Sequence, residues 1–306
     1  MKMYTIYKLA FQTDVHFGNG LLNDTEICFR ADTLFSALYQ EAIKQGVQEE
    51  LWQMTDEGGL RFSNAFPYRK KTYFLPKPML YVKSTKQTDP GERKLYKKLK
   101  YLPVEEIDAF LCGTLDVHQI DQSFGSMQML TKAAVRREEE TDPYQVGTFR
   151  FSEDCGLYFI CKYEKKEQDE LVGMLFDALS YVGIGGKRSA GLGKFEAIRA
   201  KVNEALERAL RKTEEQEASR LMLLSNALPR DEELEDALSG AAYLLDKRSG
   251  FVDSVAYAPT LLRKKDLYTF CAGSCFQHGF DGDIFHVELE GAHPVYRYAK
   301  AVFIGL

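Results

Sequence analysis

The sequence predicts an α+β fold with two βαββαβ-like units, and three observations carry that expectation. Leu157–Tyr163 is a strand of aromatic and β-branched residues. After it, Leu171, Leu175, Ala178, Leu179 and Val182 recur at three- and four-residue spacing, the pattern of an amphipathic helix. A loop rich in glycine, residues 181–195 (YVGIGGKRSAGLGKF), then leads into a strand-like run at Lys194–Ala200. Strand, helix, glycine loop and strand make half of a ferredoxin-like (RRM-like) unit. With 306 residues the chain can hold two such units, divided here into 1–125 and 126–306.

Taken in order, residues 3–12 alternate as a first strand and Asp14–Asn23 is a loop with Gly18 and Gly20. Arg30–Leu38 (RADTLFSAL) opens a helix with Asp32 or Thr33 as N-cap, Leu34, Leu38 and Ala42 on one face, and Gly46 as its stop. Residues 72–82 form a short strand region broken by Pro76 and Pro78. Ser84–Gly91 has loop composition, and the lysine-rich Glu92–Tyr101 reads as mobile until bound. Thr131–Phe151 reads as a long hairpin arm turning around Asp142-Pro143. Beyond the glycine loop come a helix at 202–217, strands at Leu221–Leu224 and Ala241–Leu245, an acidic helix at Asp231–Leu238, and further strands ending at Pro294–Ile304.

Composition narrows the function classes. Hydrophobic residues at 45%, charge at 28% and aromatics at 12% fit a globular chain. No run approaches the ~18 apolar residues of a membrane helix. The N-terminus lacks a signal-peptide pattern, so a cytoplasmic location is expected. The six scattered cysteines make no disulfide framework. Cys271 and Cys275, with His278 and His286 downstream, are a weak zinc signal beside the plainer reading of buried thiols, so no metal or cofactor is expected. The net charge of −5 hides an asymmetry: residues 69–100 carry eleven bases against two acids, whereas 202–240 carry five bases against ten acids. A polyanion would engage the first region and avoid the second.

The glycine loop carries the chemistry. Gly183, Gly185, Gly186, Gly191 and Gly193 surround Lys187, Arg188, Ser189 and Lys194. Glycine permits close backbone approach, and basic side chains with freed N–H groups suit a phosphate. Neither a Walker loop nor a dinucleotide fingerprint fits, because Lys187 is followed by Arg188 and position 188 is not glycine. The helix meets this loop at its C-terminus, the negative end of its dipole, so Lys187 and Arg188 must attract an anion unaided. That suits a nucleic-acid backbone better than a small nucleotide. The plainer alternative is a helix C-cap and surface turn, but a cap uses one or two glycines, not five.

Four stretches together resemble one family: His16-Phe17-Gly18, Arg30–Leu38, Gly183–Phe195 and Ala292–Lys300 (AHPVYRYAK). The chain is similar to the fourth subunit of the Csm (type III-A) CRISPR effector complex, in the repeat-associated mysterious protein (RAMP) superfamily. The chain departs from the family's pattern where Arg30-Ala31 stands in place of the usual His-Ser, so no role is carried over for a histidine at position 30. The resemblance implies two ferredoxin-like domains, a thumb hairpin at roughly 124–150, and a cap on the 5′ repeat-derived handle of the crRNA. It further implies contacts with the large polymerase-like subunit, the adjacent backbone subunit, and target RNA near the thumb. The expected RNA-binding residues are His16, Gly185, Gly186, Lys187, Arg188, Ser189, Gly191, Gly193 and Lys194, with Arg136, Arg137 and Tyr144 on the thumb.

No catalytic residue is expected. Metal-independent RNA cleavage needs a general base and a general acid in reach of one another. His16 is the only histidine near the expected RNA loops, with Tyr7 or Lys8 as conceivable partners. Asp281-Gly282-Asp283 is a tight carboxylate pair and reads as a hairpin turn. An endoribonuclease acting on precursor crRNA and a pure protein–protein scaffold are the rival readings.

Overall fold

A computed structural model of the chain describes all residues except 1, 19, 58, 84–89, 135–141, 216, 253–259, 261 and 290–292. The elements in order are β1 (Met3–Phe11), α1 (Ala31–Gln45), α2 (Gln48–Asp56), β2 (Arg61–Phe62), β3 (Phe66–Arg69), β4 (Thr72–Pro76), α3 (Pro90–Lys98), β5 (Tyr101–Pro103), α4 (Ile107–Leu111), β6 (Gly125–Ala134), β7 (Asp142–Phe151) and β8 (Cys155–Tyr163). They continue with α5 (Lys166–Val182), β9 (Phe195–Ala200), α6 (Glu204–Glu214), β10 (Leu221–Leu223), α7 (Leu234–Leu238), β11 (Leu245–Arg248), β12 (Leu267–Phe270), β13 (Cys275–Phe276), β14 (Gly282–His286), β15 (Tyr296–Lys300) and β16 (Phe303–Gly305).

Among the described residues the main antiparallel sheet runs β5-β4-β3-β8-β1-β9, with β2 also paired to β8. Side chains on a strand alternate between faces, and β8 is buried on both. Leu157, Phe159 and Cys161 join Tyr7 and Leu9 of β1 against Leu34 and Leu38 of α1 and Leu171, Leu175 and Leu179 of α5. Tyr158 and Ile160, with Ile6, face the other way, onto Leu206 and Leu210 of α6, Met222 of β10 and Ile304 of β16. This explains why Leu157–Tyr163 reads as an unbroken apolar run: one strand serves two cores. Each fully buried leucine or phenylalanine contributes about 1.5–3 kcal/mol. The Tyr7 ring stacks on Phe159 at 5.1 Å and meets Phe176 edge-on at 5.2 Å, which fixes the packing of α5 on the sheet.

Several expectations need correction. A division at 125/126 would cut this sheet, because β1 pairs with both β8 and β9. The described strands of the C-terminal third form small separate sheets: β13-β10-β16, β11-β12 and β14-β15. Helix α1 starts at Ala31 with Arg30 in the N-cap position, and neither Asp32 nor Thr33 caps it. The Asn64 Oδ1 takes the Ala31 N–H instead, at 2.8 Å, which leaves Asp32 for long-range ion pairs. Ala134 pairs with Asp142 and Ala133 with Pro143, so Asp142-Pro143 belongs to the paired strand β7 and not to a turn; proline is tolerated there because a two-stranded ribbon is all edge. Helix α3 takes in residues 92–98 of the lysine-rich segment, and its Tyr96 ring stacks on Phe110 at 5.8 Å. The strand expected at Ala241–Leu245 is β11, beginning at Leu245. Gly282, at φ +72°, opens β14 opposite Lys300 and is not a hairpin turn; Asp281 instead receives the Arg61 guanidinium at 3.0 Å from both carboxylate oxygens.

Candidate nucleic-acid interface

Three segments converge where β1 ends. The segment 12–16 leaves β1 and runs beside the glycine loop that follows α5. Gly193 donates to the Asp14 carbonyl at 2.8 Å, Gly186 to the His16 carbonyl at 2.8 Å, and Lys194 to Thr13 Oγ1 at 3.0 Å. On its other side this segment bridges to β7, where Val15 and Phe149 exchange both backbone hydrogen bonds at 2.9 Å.

His16 is the hub of the convergence. It is buried, and its Nδ1–H donates to the Gly147 carbonyl of β7 at 2.7 Å. With Nδ1–H so engaged, Nε2 is the ring nitrogen left facing away from Gly147. Asp14 reinforces the same junction, accepting from Thr148 Oγ1 at 3.2 Å and from Arg150 at 2.9 Å.

Gly186 and Gly193 are required by packing. A Cβ at Gly186 would lie 2.6 Å from His16 Cδ2, and one at Gly193 would lie 2.1 Å from the Ile184 carbonyl oxygen at φ +79°. The sequence suggested freed loop N–H groups for a phosphate. Those of Gly183, Ile184, Gly186, Ala190, Gly191, Gly193 and Lys194 are spent on the protein itself. The loop's charge is carried by its side chains.

The tip supplies them. Lys187, at φ 59°, starts a single 3₁₀ turn over Arg188–Ala190. Its ammonium lies 5.2 Å from the centre of the Tyr144 ring on β7, a cation–π contact that joins loop to ribbon. Arg188 turns toward α1 and donates to Gln40 Oε1 at 3.3 Å. Ser189 is exposed and Lys194 is exposed at the start of β9. The structure thus brings together His16, Gly186, Lys187 and Tyr144, while Arg136 and Arg137 lie outside the described residues.

Between the loop and α1 opens a cavity of about 270 Å³. Its lining includes His16, Gly185, Gly186 and Arg188, together with Arg30, Arg248, Lys264 and Arg297 and a single carboxylate, Asp32. Asp32 is nearly fully buried and is gripped by Arg248 at 2.9 Å from both oxygens and by Arg297 at 2.7 Å. Burial alone would raise its pKa; the two guanidinium groups overcome that and hold the carboxyl far below the usual range. Arg30 is likewise engaged, by Asp246 at 2.9 Å and by Glu26. Sequence reading missed Arg248 and Lys264 and gave Arg297 no role, although Arg297 sits within the AHPVYRYAK stretch. Contacts spanning 216 and 265 residues leave no local signal.

The partners considered for an acid–base pair stand elsewhere. Tyr7 is in the core, donating to Asp169 Oδ1 at 2.7 Å, and burial drives its pKa far up. The Lys8 ammonium lies 3.8 Å over the Tyr68 ring. Neither lines the cavity. Burial pushes the Cys271 thiol up to about 11 and Cys275 to about 12, and among the described residues no group of three metal-ligating side chains forms. No described helix is long and apolar enough to cross a membrane.

Fold and surface define a class: a mixed α+β protein of antiparallel sheets in which a glycine loop and a β-ribbon meet beside an arginine-lined cleft. Residues 216–306 match the CRISPR Csm4 C-terminal domain family. The Csm4 protein of Mycobacterium tuberculosis (strain CDC 1551 / Oshkosh) is 39% identical over 296 residues, covering 95% of this chain and 94% of its own. That of Streptococcus thermophilus is 36% identical over 312 residues, covering 99% of each. The chain belongs to the Csm4 family of type III-A CRISPR proteins. Its fold matches a chain of a Csm3–Csm4 subcomplex of the type III-A CRISPR-Cas interference complex, with a TM-score of 0.70 at 18% identity over 99% of both chains. It also matches a chain of a Csm1–Csm4 cassette in complex with cA4, with a TM-score of 0.61 at 21% identity over 100% of this chain and 98% of the other.

Proposed function

We propose that this chain is a non-catalytic crRNA-binding subunit of a type III-A interference complex, capping the 5′ repeat-derived handle and docking the large polymerase-like subunit. The observation that carries this reading is the convergence at His16 of glycine loop and β-ribbon, beside a cavity lined by five basic side chains and one already neutralised acid. A single-stranded handle displays phosphates and bases irregularly, so recognition combines Lys and Arg contacts with stacking on aromatic rings. Lys187 and Arg188 serve the phosphates, Tyr144 offers a ring, and His16 Nε2 offers an acceptor. The β6–β7 ribbon acts as the thumb toward the guide–target duplex. Relatives that occur with Csm3 and with Csm1 support the adjacent backbone subunit and the large subunit as neighbours.

The sheet order β9-β1-β8-β3, with α1 and α5 on one face, fits one ferredoxin-like βαββαβ unit over residues 3–200. The strands beyond 220 then belong to a second unit. A cleft in which the histidine is held by a backbone carbonyl and the one carboxylate by two arginines favours binding over acid–base chemistry.

The test titrates the chain, with its large partner subunit, against RNA carrying the handle and against a scrambled control, at two salt concentrations. Wild type prefers the handle, and Lys187→Ala/Arg188→Ala loses that preference. Equal binding of both RNAs by both proteins would leave a protein scaffold. Cutting of a repeat RNA by the chain alone, abolished in His16→Ala, would establish the endoribonuclease instead.

A further inference from the structure

A second cavity, of about 170 Å³, lies behind Arg30; Cys28, Phe29 and Arg30 line both cavities. Asn226 forms part of its wall. That residue is 1% exposed, and neither its Nδ2 nor its Oδ1 has a hydrogen-bond partner. Its position is nevertheless fixed, because its backbone N–H donates to Asn64 Oδ1 at 2.9 Å. A buried amide left unpaired on both sides is rare and unfavourable, so its setting in a cavity wall points to a guest that supplies both an acceptor and a donor.

The remaining wall narrows the guest. Phe29, Phe66 and Tyr101 offer apolar and aromatic surface suited to a planar ring. Glu26 and Asp246 are at the wall with Arg30 between them, so a phosphate is repelled while an exocyclic amino group is accepted. A side-chain amide that donates and accepts side by side matches the N7 and N6 edge of adenine. We propose that this cavity is an adenine-ring pocket, read by Asn226, with the attached ribose-phosphate crossing Arg30 toward Arg188 and Lys264 in the larger cavity. The proposal rests on the RNA-binding reading only for the source of the ring, which is either a base of a bound strand or a free adenine nucleotide.

Fluorescence anisotropy of the full chain with labelled short oligoadenylate and oligouridylate, plus calorimetry with AMP, tests this. Wild type binds oligoadenylate about tenfold or more tightly than oligouridylate. Asn226→Ala drops oligoadenylate to the oligouridylate level, leaving oligouridylate affinity unchanged. Asn226→Leu, which keeps volume and removes the unpaired amide, gives the same result with a melting temperature equal to or above wild type, should the alanine variant fold poorly. Lys187→Ala/Arg188→Ala weakens both RNAs alike. AMP binding that depends on Asn226 identifies a free nucleotide as an admissible source; adenine preference in the RNA without AMP binding identifies the strand. Equal affinity for both RNAs, unchanged in Asn226→Leu, with no AMP binding, overturns the pocket and leaves the RNA reading standing. Loss of binding to both RNAs in wild type overturns the RNA reading, and AMP binding then decides the pocket by itself.

Discussion

Arg248 and Arg297, at one wall of the larger cavity, and Lys187 and Arg188, at the opposite glycine loop, carry the same charge under different constraints. The first pair closes on Asp32, with side chains 16% and 8% exposed against 1% for the acid. The second pair is half-buried, one cation over a tyrosine ring and the other hydrogen-bonded to a glutamine. Arginines whose charge is met by a buried carboxylate hold the C-terminal strands against α1. The Lys187 ammonium lies over a tyrosine ring and the Arg188 guanidinium beside a neutral amide. The cleft is thus basic on both sides, with architecture on one and, in the proposed reading, recognition on the other.

Breaking the architectural side has the largest expected effect. Asp32→Ala strands two guanidinium groups and lowers folding stability by about 3–5 kcal/mol, read by urea denaturation. The same clamp sets a pH dependence. Because the folded carboxyl sits below its unfolded range, its contribution is complete above about pH 5 and is lost as pH falls below ~4. Denaturation midpoints of wild type should fall across that window, and those of Asp32→Asn should change less. A wild-type protein insensitive to pH there would remove Asp32 from the role given to it.

On the loop side, Gly193→Ala forces a Cβ against the Ile184 carbonyl at positive φ and is expected to lower stability by about 1–3 kcal/mol, visible as a reduced melting temperature. Lys187→Ala/Arg188→Ala is expected to leave folding stability within about 0.5 kcal/mol of wild type while flattening the salt dependence of RNA binding. The ring is tested by a pair of variants: Tyr144→Phe keeps RNA affinity, whereas Tyr144→Ala weakens it by about 1–3 kcal/mol if a base stacks there. Equal losses in both tyrosine variants would assign the role to the hydroxyl and sharpen the account differently.

Local pattern explains which parts of this were legible. The run at 157–163, the spacing of Leu171, Leu175 and Leu179, and Gly46 as a stop each encode their element in neighbouring residues. The glycines marked the loop because close packing, of Gly185 and Gly186 on His16 and of Gly193 on Ile184, admits no side chain there, although several of their N–H groups serve the protein. Asp32 shows the opposite case: its local pattern suits an N-cap, and distant arginines claim it. Arg248, Lys264 and Asn226 were silent because only the tertiary fold brings their strands and loops to the cleft. The division at 125/126 failed to separate the sheets because β1 pairs with strands more than a hundred residues away, which no window of sequence displays.

The measurement that bears most directly on the RNA-clamp reading is photo-crosslinking of handle RNA within the assembled complex, with the crosslinked peptides of this chain mapped by mass spectrometry. The account predicts crosslinks within 14–18, 142–150 and 183–194, with the last reduced in Lys187→Ala/Arg188→Ala. Crosslinks confined to α3 and its flanks, with none in those three segments, would contradict it and move RNA recognition to the lysine-rich helix.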